Sequence, residues 1–187
     1  ILATLSKMSS GKVKICGENL ISNDGEARKN FGYVAQSSGV DQWATGKENL
    51  ILQAQMERVP NKLIDLRVKE LLDWMNLIEA SSKLVKSYSG GMKRRLEIAM
   101  GLIHQPKILF LDEPTAGLDP ESRRSLWLDL KRLQKEQKMT VLITTHYLEE
   151  ADYLCDRIAI IDQGIVITEG TPEHLKADIS GDAISLK

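Results

Sequence analysis

The sequence lacks the features that mark disulfide-stapled, membrane-spanning or strongly basic chains. Its two cysteines, Cys16 and Cys155, have no metal-ligand or redox spacing; they leave one disulfide open, but we expect two reduced, partly buried thiols in a cytosolic protein. Apolar runs such as 108–111 fall far short of the roughly 20 residues that cross a bilayer. A formal net charge of −1 argues against a generally basic nucleic-acid-binding surface and leaves only a local patch open.

What is present is the composition of an ordinary globular domain. The 187 residues are 42% hydrophobic and 27% charged, enough for one domain with a sizeable core. Short apolar or β-branched runs predict strands, and apolar residues at helical spacing predict helices. The predicted strands are 12–16, 31–35, 107–111, 140–145, 158–161 and 165–167. The predicted helices are the tail 1–8, then 49–58, 62–78, one from Ser89 towards Pro106, one from Pro120, then 147–155 and 172–176.

This order of elements predicts a layered α/β core interrupted by a helical segment. Strands alternate with helices in 1–44 and 105–187, which favours buried strands covered by helices. The stretch 45–104 contains only predicted helices. The fold class that we expect is therefore α/β, with an inserted all-helical subdomain.

Two adjacent acids, Asp112 and Glu113, end the apolar strand 107–111. Open α/β sheets bind ligands at the carboxyl ends of their strands. One acid there can hold a magnesium ion through water, and the next can orient or deprotonate an attacking water. A strand followed by a polar turn is the alternative without chemistry.

A second candidate is the string Tyr-Ser-Gly-Gly-Met-Lys-Arg-Arg at 88–95. Ser89, Gly90 and Gly91 open a helix whose unpaired backbone amides suit a phosphate, and the glycines permit close approach. A helix cap with a flexible turn is the alternative. The basic residues 93–95 are interpreted as a solvated helix face rather than a nucleic-acid patch, because the net charge is balanced.

Two further polar residues follow predicted strands. His146 comes directly after 140–145 and would lie on the same sheet edge as the two acids. Gln36 ends the strand 31–35, where its side chain could reach a metal ion or its waters. Either residue taken alone is weak evidence for a site.

Together these features resemble the nucleotide-binding domain of ABC transporters, over residues 1 to about 178. The matching motifs are the Q-loop glutamine, the signature loop, the Walker B strand with its glutamate, the D-loop and the switch histidine, at Gln36, 88–92, 108–113, 116–119 and His146. Tyr88 and Met92 depart from the commonest signature, Leu-Ser-Gly-Gly-Gln. The strings at 89–95 and 45–50 look most like the multidrug and daunorubicin-type exporters.

The resemblance implies a P-loop NTPase-like ABC ATPase core, a mixed sheet flanked by helices, that hydrolyses ATP with Mg²⁺. In such a site Asp112 holds the magnesium through water and Gln36 completes that shell. Glu113 is the general base, and His146 bridges the γ-phosphate and the attacking water. These assignments are carried over from the family's motifs.

The resemblance also implies partners. Two such domains face each other head to tail, so that Ser89, Gly90 and Gly91 cover the γ-phosphate of the partner's ATP, and Asp119 crosses the interface. A transmembrane permease subunit would contact the stretch 37–44, with Val40 and Trp43 as apolar candidates; a buried loop anchor is the alternative for Trp43. The implied location is cytoplasmic, peripheral on the inner face of the membrane, with no nucleic acid bound.

One element of such domains is missing from the sequence. No Gly-x-x-x-x-Gly-Lys-Ser/Thr string occurs, although this loop holds the nucleotide phosphates and one magnesium ligand. Because the chain begins at Ile1 rather than a methionine, we expect that the loop has been lost at the amino end and that the fragment alone is inactive. A non-hydrolysing regulatory module, or a soluble ABC ATPase outside transport, remains the alternative.

Overall fold

The computed structural model describes residues 1–22, 24–37 and 39–179. The chain divides into two compact units, Ile1–Thr144 and Thr145–Lys187. In the first unit the strands are β1 (Lys14–Ile15), β2 (Glu18–Asn19), β3 (Phe31–Val34), β4 (Ile108–Asp112) and β5 (Thr140–Thr144). Its helices are α1 (Asp24–Lys29), α2 (Gly46–Met56), α3 (Asn61–Trp74), α4 (Gly90–Gly101) and α5 (Pro120–Gln137), with 3-10 turns at Ile78–Ala80 and Val85–Ser87.

The centre of the first unit is a parallel sheet in the order β3-β4-β5. Leu109, Phe110 and Leu111 of the middle strand are buried, as expected for a strand covered on both faces. The register pairs Val34 with Leu111 and Asp112 with Thr144. The three carboxyl ends therefore meet at one edge, as the sequence predicts.

The prediction of a helix tail at residues 1–8 is wrong, because this segment forms turns and bends. An isolated helical turn fixes many dihedral angles for few hydrogen bonds. A segment of eight residues therefore needs tertiary packing to become helical. Strands β1 and β2 pair as an antiparallel hairpin around 16–17. The rings of Phe31 and Phe110 pack edge to face, 5.2 Å apart, in the apolar cluster beneath this hairpin.

Between 45 and 104 the described backbone forms helices and 3-10 turns, with one isolated bridge between Thr45 and Leu84. Helix α2 begins earlier than predicted because Thr45 caps it, and α3 ends at Trp74 rather than 78. The buried faces of these helices share a core, with the fully buried residues Leu50, Leu71, Leu96 and Ile98. The prediction of a separate helical subdomain is not decided by these contacts.

One close approach joins the sheet to helix α4. A Cβ on Gly32 of β3 would lie 2.0 Å from the carbonyl oxygen of Gly101, so β3 and α4 touch backbone to backbone there. Any side chain at Gly32 would push the helix away from the strand. This contact fixes the position of α4 against the strand that leads to Gln36.

The second unit contains α6 (Leu148–Leu154), β6 (Ile158–Asp162), β7 (Ile165–Gly170) and α7 (Pro172–Ile179). Strands β6 and β7 form the predicted antiparallel hairpin, with Gln163 and Gly164 at positive φ in its turn. Cys16 and Cys155 form no disulfide. The prediction of partial burial is right for Cys155 and wrong for Cys16, which is exposed in the β1–β2 turn.

Candidate functional site

The two acids of the predicted site lie where β4 ends. Asp112 is its last residue, and the hydroxyl of Thr144, its neighbour on β5, donates to Asp112 Oδ1. The backbone N–H of Glu113 donates to the carbonyl of Thr144 at 3.0 Å and also approaches its hydroxyl at 3.2 Å. The end of β5 therefore positions both acids. The sequence analysis did not identify Thr144 as a residue of the site.

Glu113 has a left-handed backbone, with φ of 44°. Non-glycine residues rarely adopt this conformation, and such strain is concentrated at functional sites. The turn is closed by the N–H of Ala116, which donates to the Glu113 carbonyl at 3.1 Å. Its effect is to turn the chain sharply just after Asp112, so that Glu113 is not a further residue of the strand.

Gln36 reaches the acids from the neighbouring strand. Its side-chain Nε2 donates to Glu113 Oε2 at 2.9 Å, across 77 residues of sequence. Gln36 is exposed, and Asp112 and Glu113 are half-buried. The structure thus brings together Gln36, Asp112 and Glu113, as the rule of parallel carboxyl ends predicts.

The Ser-Gly-Gly loop begins helix α4 in the predicted place. Ser89 is the N-cap, and its hydroxyl accepts from the N–H of Met92 at 3.2 Å. Gly91 is buried against α5, where a Cβ would lie 3.1 Å from the hydroxyl of Ser122. The capping interpretation is correct, and it leaves the phosphate-binding role of the loop as a prediction.

Asp119 caps the neighbouring helix α5, as Asp-Pro in the sequence predicts. Its Oδ1 accepts from the N–H of Ser122 at 2.9 Å. Hydrogen bonds from the hydroxyl and the N–H of Ser122 hold the pKa of Asp119 below its usual value. Asp119 is exposed and ionised at neutral pH, and Ser122 lies next to Gly91 of the signature loop.

The interpretation of 93–95 as a solvated face is wrong for two of its three residues. Arg94 is 7% exposed and is paired with Glu97, at 2.8 Å. Arg95 is largely buried and bonds to Asp129 on α5, also at 2.8 Å. A buried charge needs such partners, and the Arg-x-x-Glu spacing at 94–97 was the signal in the sequence that could have indicated one of them.

His146 belongs to the second unit, where it is exposed and its ring lies 4.1 Å from that of Tyr147. The hydroxyl of Thr145 accepts from the N–H of Tyr147 at 3.0 Å and shapes the turn into α6. The switch role of His146 at the edge of the first unit's sheet stays a prediction.

The donor set in the first unit is sparse. Within the described residues, no group of three or more His, Cys, Asp and Glu side chains is arranged to hold a metal ion. Magnesium usually takes only one or two carboxylates, with water and phosphate oxygens as its other ligands. The Asp112 carboxylate and the Gln36 amide oxygen, which the bond to Glu113 does not use, fit that smaller requirement.

Comparisons with known proteins agree with this fold. Residues 1–116 match the family model described as ABC transporter. The daunorubicin/doxorubicin resistance ATP-binding protein DrrA of Streptomyces peucetius is 41% identical over 187 residues, 100% of this chain and 56% of that protein. The doxorubicin resistance ATP-binding protein DrrA of Mycobacterium tuberculosis is 43% identical over 176 residues, 94% of this chain and 53% of that protein.

Among solved structures, cbiO1 from Clostridium perfringens, part of the ABC transporter complex cbiONQ, has a TM-score of 0.83 at 29% identity. The match covers 95% of this chain and 72% of that one. The fold is therefore that of an ABC ATPase domain. The chain belongs to the ABC transporter family, as its motifs predict, and within it is similar to daunorubicin and doxorubicin resistance ATP-binding proteins.

The chain covers part of the length of the relatives that it matches. It spans just over half the length of the two DrrA relatives, 56% and 53%. No helix in 1–22, 24–37 or 39–179 combines the length and the apolar character that crossing a membrane requires.

Proposed function

We propose that the protein carrying this chain is the ATP-hydrolysing subunit that powers an ABC exporter of drugs or lipids. The observation that carries the proposal is the bond between Gln36 and Glu113 beside Asp112, at the carboxyl edge of the parallel sheet. The names of the drug-resistance relatives support export of drugs. Lipid export is the other member of the same proposal.

In the proposed mechanism Glu113 orients and deprotonates the attacking water. Its Oε2 accepts from Gln36 in this structure, so the amide holds the carboxylate at the edge of the sheet. Asp112 and the amide oxygen of Gln36 would hold Mg²⁺, which supplies charge stabilisation for the phosphates when bound. Phosphoryl transfer of this kind depends on positioning and electrostatics, and removing one positioned group typically costs about 10²–10³ in rate.

The remaining roles complete a proposed head-to-tail dimer. Ser89, Gly90 and Gly91 cover the γ-phosphate of the partner's ATP, and the exposed carboxylate of Asp119 crosses the interface. His146 would bridge the γ-phosphate and the water. Residues 1–187 contain no Gly-x-x-x-x-Gly-Lys-Ser/Thr loop, so this chain by itself should bind ATP weakly; micromolar binding in equilibrium dialysis would contradict that.

The variant Glu113→Gln in the full-length gene product tests the site. We expect the variant to bind ATP and to accumulate as an ATP-bound dimer, because the amide keeps the shape of the carboxylate but does not accept a proton. Size-exclusion chromatography with ATP measures the dimer fraction. The matched control is Glu136→Gln, an exposed carboxylate on α5. A Glu113→Gln protein that turns over ATP like the wild type would remove the base assignment.

The proposed membrane partner would meet the loop at 37–44. Asn49, only 3% exposed, anchors this loop with bonds to the N–H and carbonyl of Asp41 at 2.8 and 3.0 Å. Trp43 is 74% exposed, with Lys86 Nζ 4.4 Å from its ring centroid. The buried-anchor interpretation of Trp43 is therefore wrong, and Asn49 has that role instead. Beside the loop lies a cavity of about 380 Å³, lined in part by Ser37, Gly39 and Gln53.

A photocrosslinker placed at position 43 tests this partner. With a co-expressed membrane subunit, we expect a specific crosslink from position 43, since a large exposed aromatic side chain is typical of an interface centre. The control position is Leu128, an exposed apolar residue on α5, remote from the loop in sequence. Equal crosslinking from positions 43 and 128, or none from either, would remove the loop from the interface.

A further inference from the structure

The guanidinium of Arg94, in helix α4, lies among three backbone carbonyls of the candidate site. Nε donates to the carbonyl of Pro114 at 2.8 Å, Nη1 to that of Ala35 at 2.6 Å, and Nη2 to that of Asp112 at 2.9 Å. Nη1 also donates to the carboxylate of Glu97 at 2.8 Å. The side chains of the ion pair are only 8% and 9% exposed, so the charge is buried and neutralised in place.

These three carbonyls belong to the two backbone segments that carry the site. Ala35 immediately precedes Gln36, and Asp112 and Pro114 stand on either side of Glu113. The side chains of Gln36 and Glu113 meet in a single bond of 2.9 Å, which requires the two segments to keep their separation. Arg94 is a direct link between them that uses no side chain of the site.

The link depends on the shape of the arginine side chain. A guanidinium offers five N–H donors in one plane. In Arg94 all three nitrogen atoms donate, and together they make four hydrogen bonds. A lysine has its donors on one nitrogen atom and cannot reach three carbonyls that surround a fork. Charged donors also form stronger hydrogen bonds than neutral ones, so the link is a stiff one.

Helix α4 adds a connection to the Ser-Gly-Gly loop. Ser89 caps the helix that carries Arg94, and the first turns of α4 are packed against α5 at Gly91. A displacement of the loop at Ser89 therefore moves the helix to which the guanidinium is attached. In the proposed dimer, Ser89 serves one ATP and the Gln36–Glu113 pair serves the other.

We propose that Arg94 is a positioning residue for ATP hydrolysis: it holds the Gln36 and Glu113 segments in register and couples them to the Ser-Gly-Gly loop. This inference rests on the proposed function for its effect on turnover. Its effect on the two backbone segments does not depend on ATP at all.

The same unit contains a matched control, Arg67 in helix α3. Arg67 is 6% exposed, donates to the carbonyl of Leu102 at 2.9 Å and pairs with Glu70 at 3.0 Å. Burial lowers the pKa of Arg67, and the nearby Glu70 carboxylate opposes that shift. Arg67 is thus a buried arginine with carbonyl and carboxylate partners, like Arg94, but none of its partners flanks Gln36 or Glu113.

The experiment compares Arg94→Lys with Arg67→Lys in the full-length gene product. Hydrogen exchange of peptides covering 34–37 and 112–116, without nucleotide, measures the link itself. We expect Arg94→Lys to raise deuterium uptake in both peptides and Arg67→Lys to leave both unchanged. For steady-state hydrolysis we expect Arg94→Lys to lower kcat by about 10-fold or more with KM for ATP within about 3-fold, because only positioning is lost.

The outcomes separate this inference from the proposed function. Unchanged uptake in Arg94→Lys, or equal changes in kcat for both lysine variants, would overturn the positioning role. A wild-type protein that does not hydrolyse ATP would contradict the proposed function, while the exchange data would still decide whether Arg94 links the segments. If Arg94→Lys does not fold, Glu97→Gln replaces it: smaller increases in the same two peptides support the inference, and none overturns it.

Discussion

Tyr88, the first residue of the signature-loop string 88–92, contributes a hydrogen bond to the base of that loop. Its hydroxyl donates to the carbonyl of Ala80 at 2.7 Å, and the residue is 5% exposed. Burial raises the pKa of Tyr88, and a hydrogen bond from the N–H of Gly46 opposes this. A Cβ on Gly46 would lie 2.3 Å from the Tyr88 hydroxyl, so the tyrosine side chain fits only because position 46 is a glycine.

The variant Tyr88→Phe should destabilise the protein by about 1–3 kcal/mol, since a buried carbonyl and a buried N–H both lose their partner. Urea denaturation of the full-length gene product measures this. The control is Tyr33→Phe, at a half-buried tyrosine whose hydroxyl has no hydrogen bond among the described residues. Equal stability of the Tyr88→Phe and wild-type proteins would mean that the hydroxyl is not a structural bond.

At the same scale, the sequence predicted where Gln36, Asp112 and Glu113 lie but not what surrounds them. Their placement follows from one rule about parallel strands, which needs only the strand ends. The burial of Arg94 depends on three carbonyls from two segments that are distant in sequence, and no local pattern shows such contacts. Basic residues on a predicted helix are usually solvated, so the general tendency gave the wrong answer at this position.

Among the elements, helix α2 has the most complete local signal. The hydroxyl of Thr45 accepts from the N–H of Glu48 at 3.2 Å, and the Glu48 carboxylate accepts from the N–H of Thr45 at 2.7 Å, which forms a capping box. The Thr45 hydroxyl also donates to that carboxylate at 2.8 Å, and the bonds donated by the Thr45 N–H and hydroxyl hold the pKa of Glu48 below its usual value of 4.5. A carboxylate with a lowered pKa stabilises the fold at pH values above its usual pKa. This contribution is lost as the pH falls through the folded-state pKa.

The variant Thr45→Val should lower the Tm by about 2–4 °C at pH 7, because the helix loses its cap. The difference from the wild type should shrink as the pH falls below 4.5, where Glu48 takes up a proton in both proteins. Thermal denaturation of the full-length gene product at several pH values measures this. The control Thr140→Val changes an exposed threonine at the start of β5. A difference that stays constant down to pH 4 and below would contradict the role of the carboxylate.

The predicted elements differ in how well local signals determine them. Strands β4 and β5 and helix α5 were found with small shifts at their ends, because apolar runs and an Asp-Pro cap are strong signals. The segment 1–8 was predicted to be a helix tail, and it forms turns and bends instead. Whether a short segment is helical depends on tertiary packing, which its own sequence does not contain.

At the scale of the whole molecule, the fold class was predicted and the division of the chain was not. The parallel sheet, the helices between 45 and 104 and the β6–β7 hairpin agree with an α/β protein of the ABC ATPase class. The two compact units meet in sequence between Thr144 and Thr145, within the predicted strand 140–145. The proposed role of Asp119 depends on assembly with a second domain, which neither periodicity nor spacing within one chain describes.

The rate of phosphate release from ATP by the full-length gene product tests the central claim most directly. If Glu113 is the base that Gln36 holds at the edge of the sheet, Glu113→Gln should lower kcat by about 100-fold or more, and Glu136→Gln should leave it within about 2-fold. Release by the Glu113→Gln protein at the wild-type rate would contradict the account.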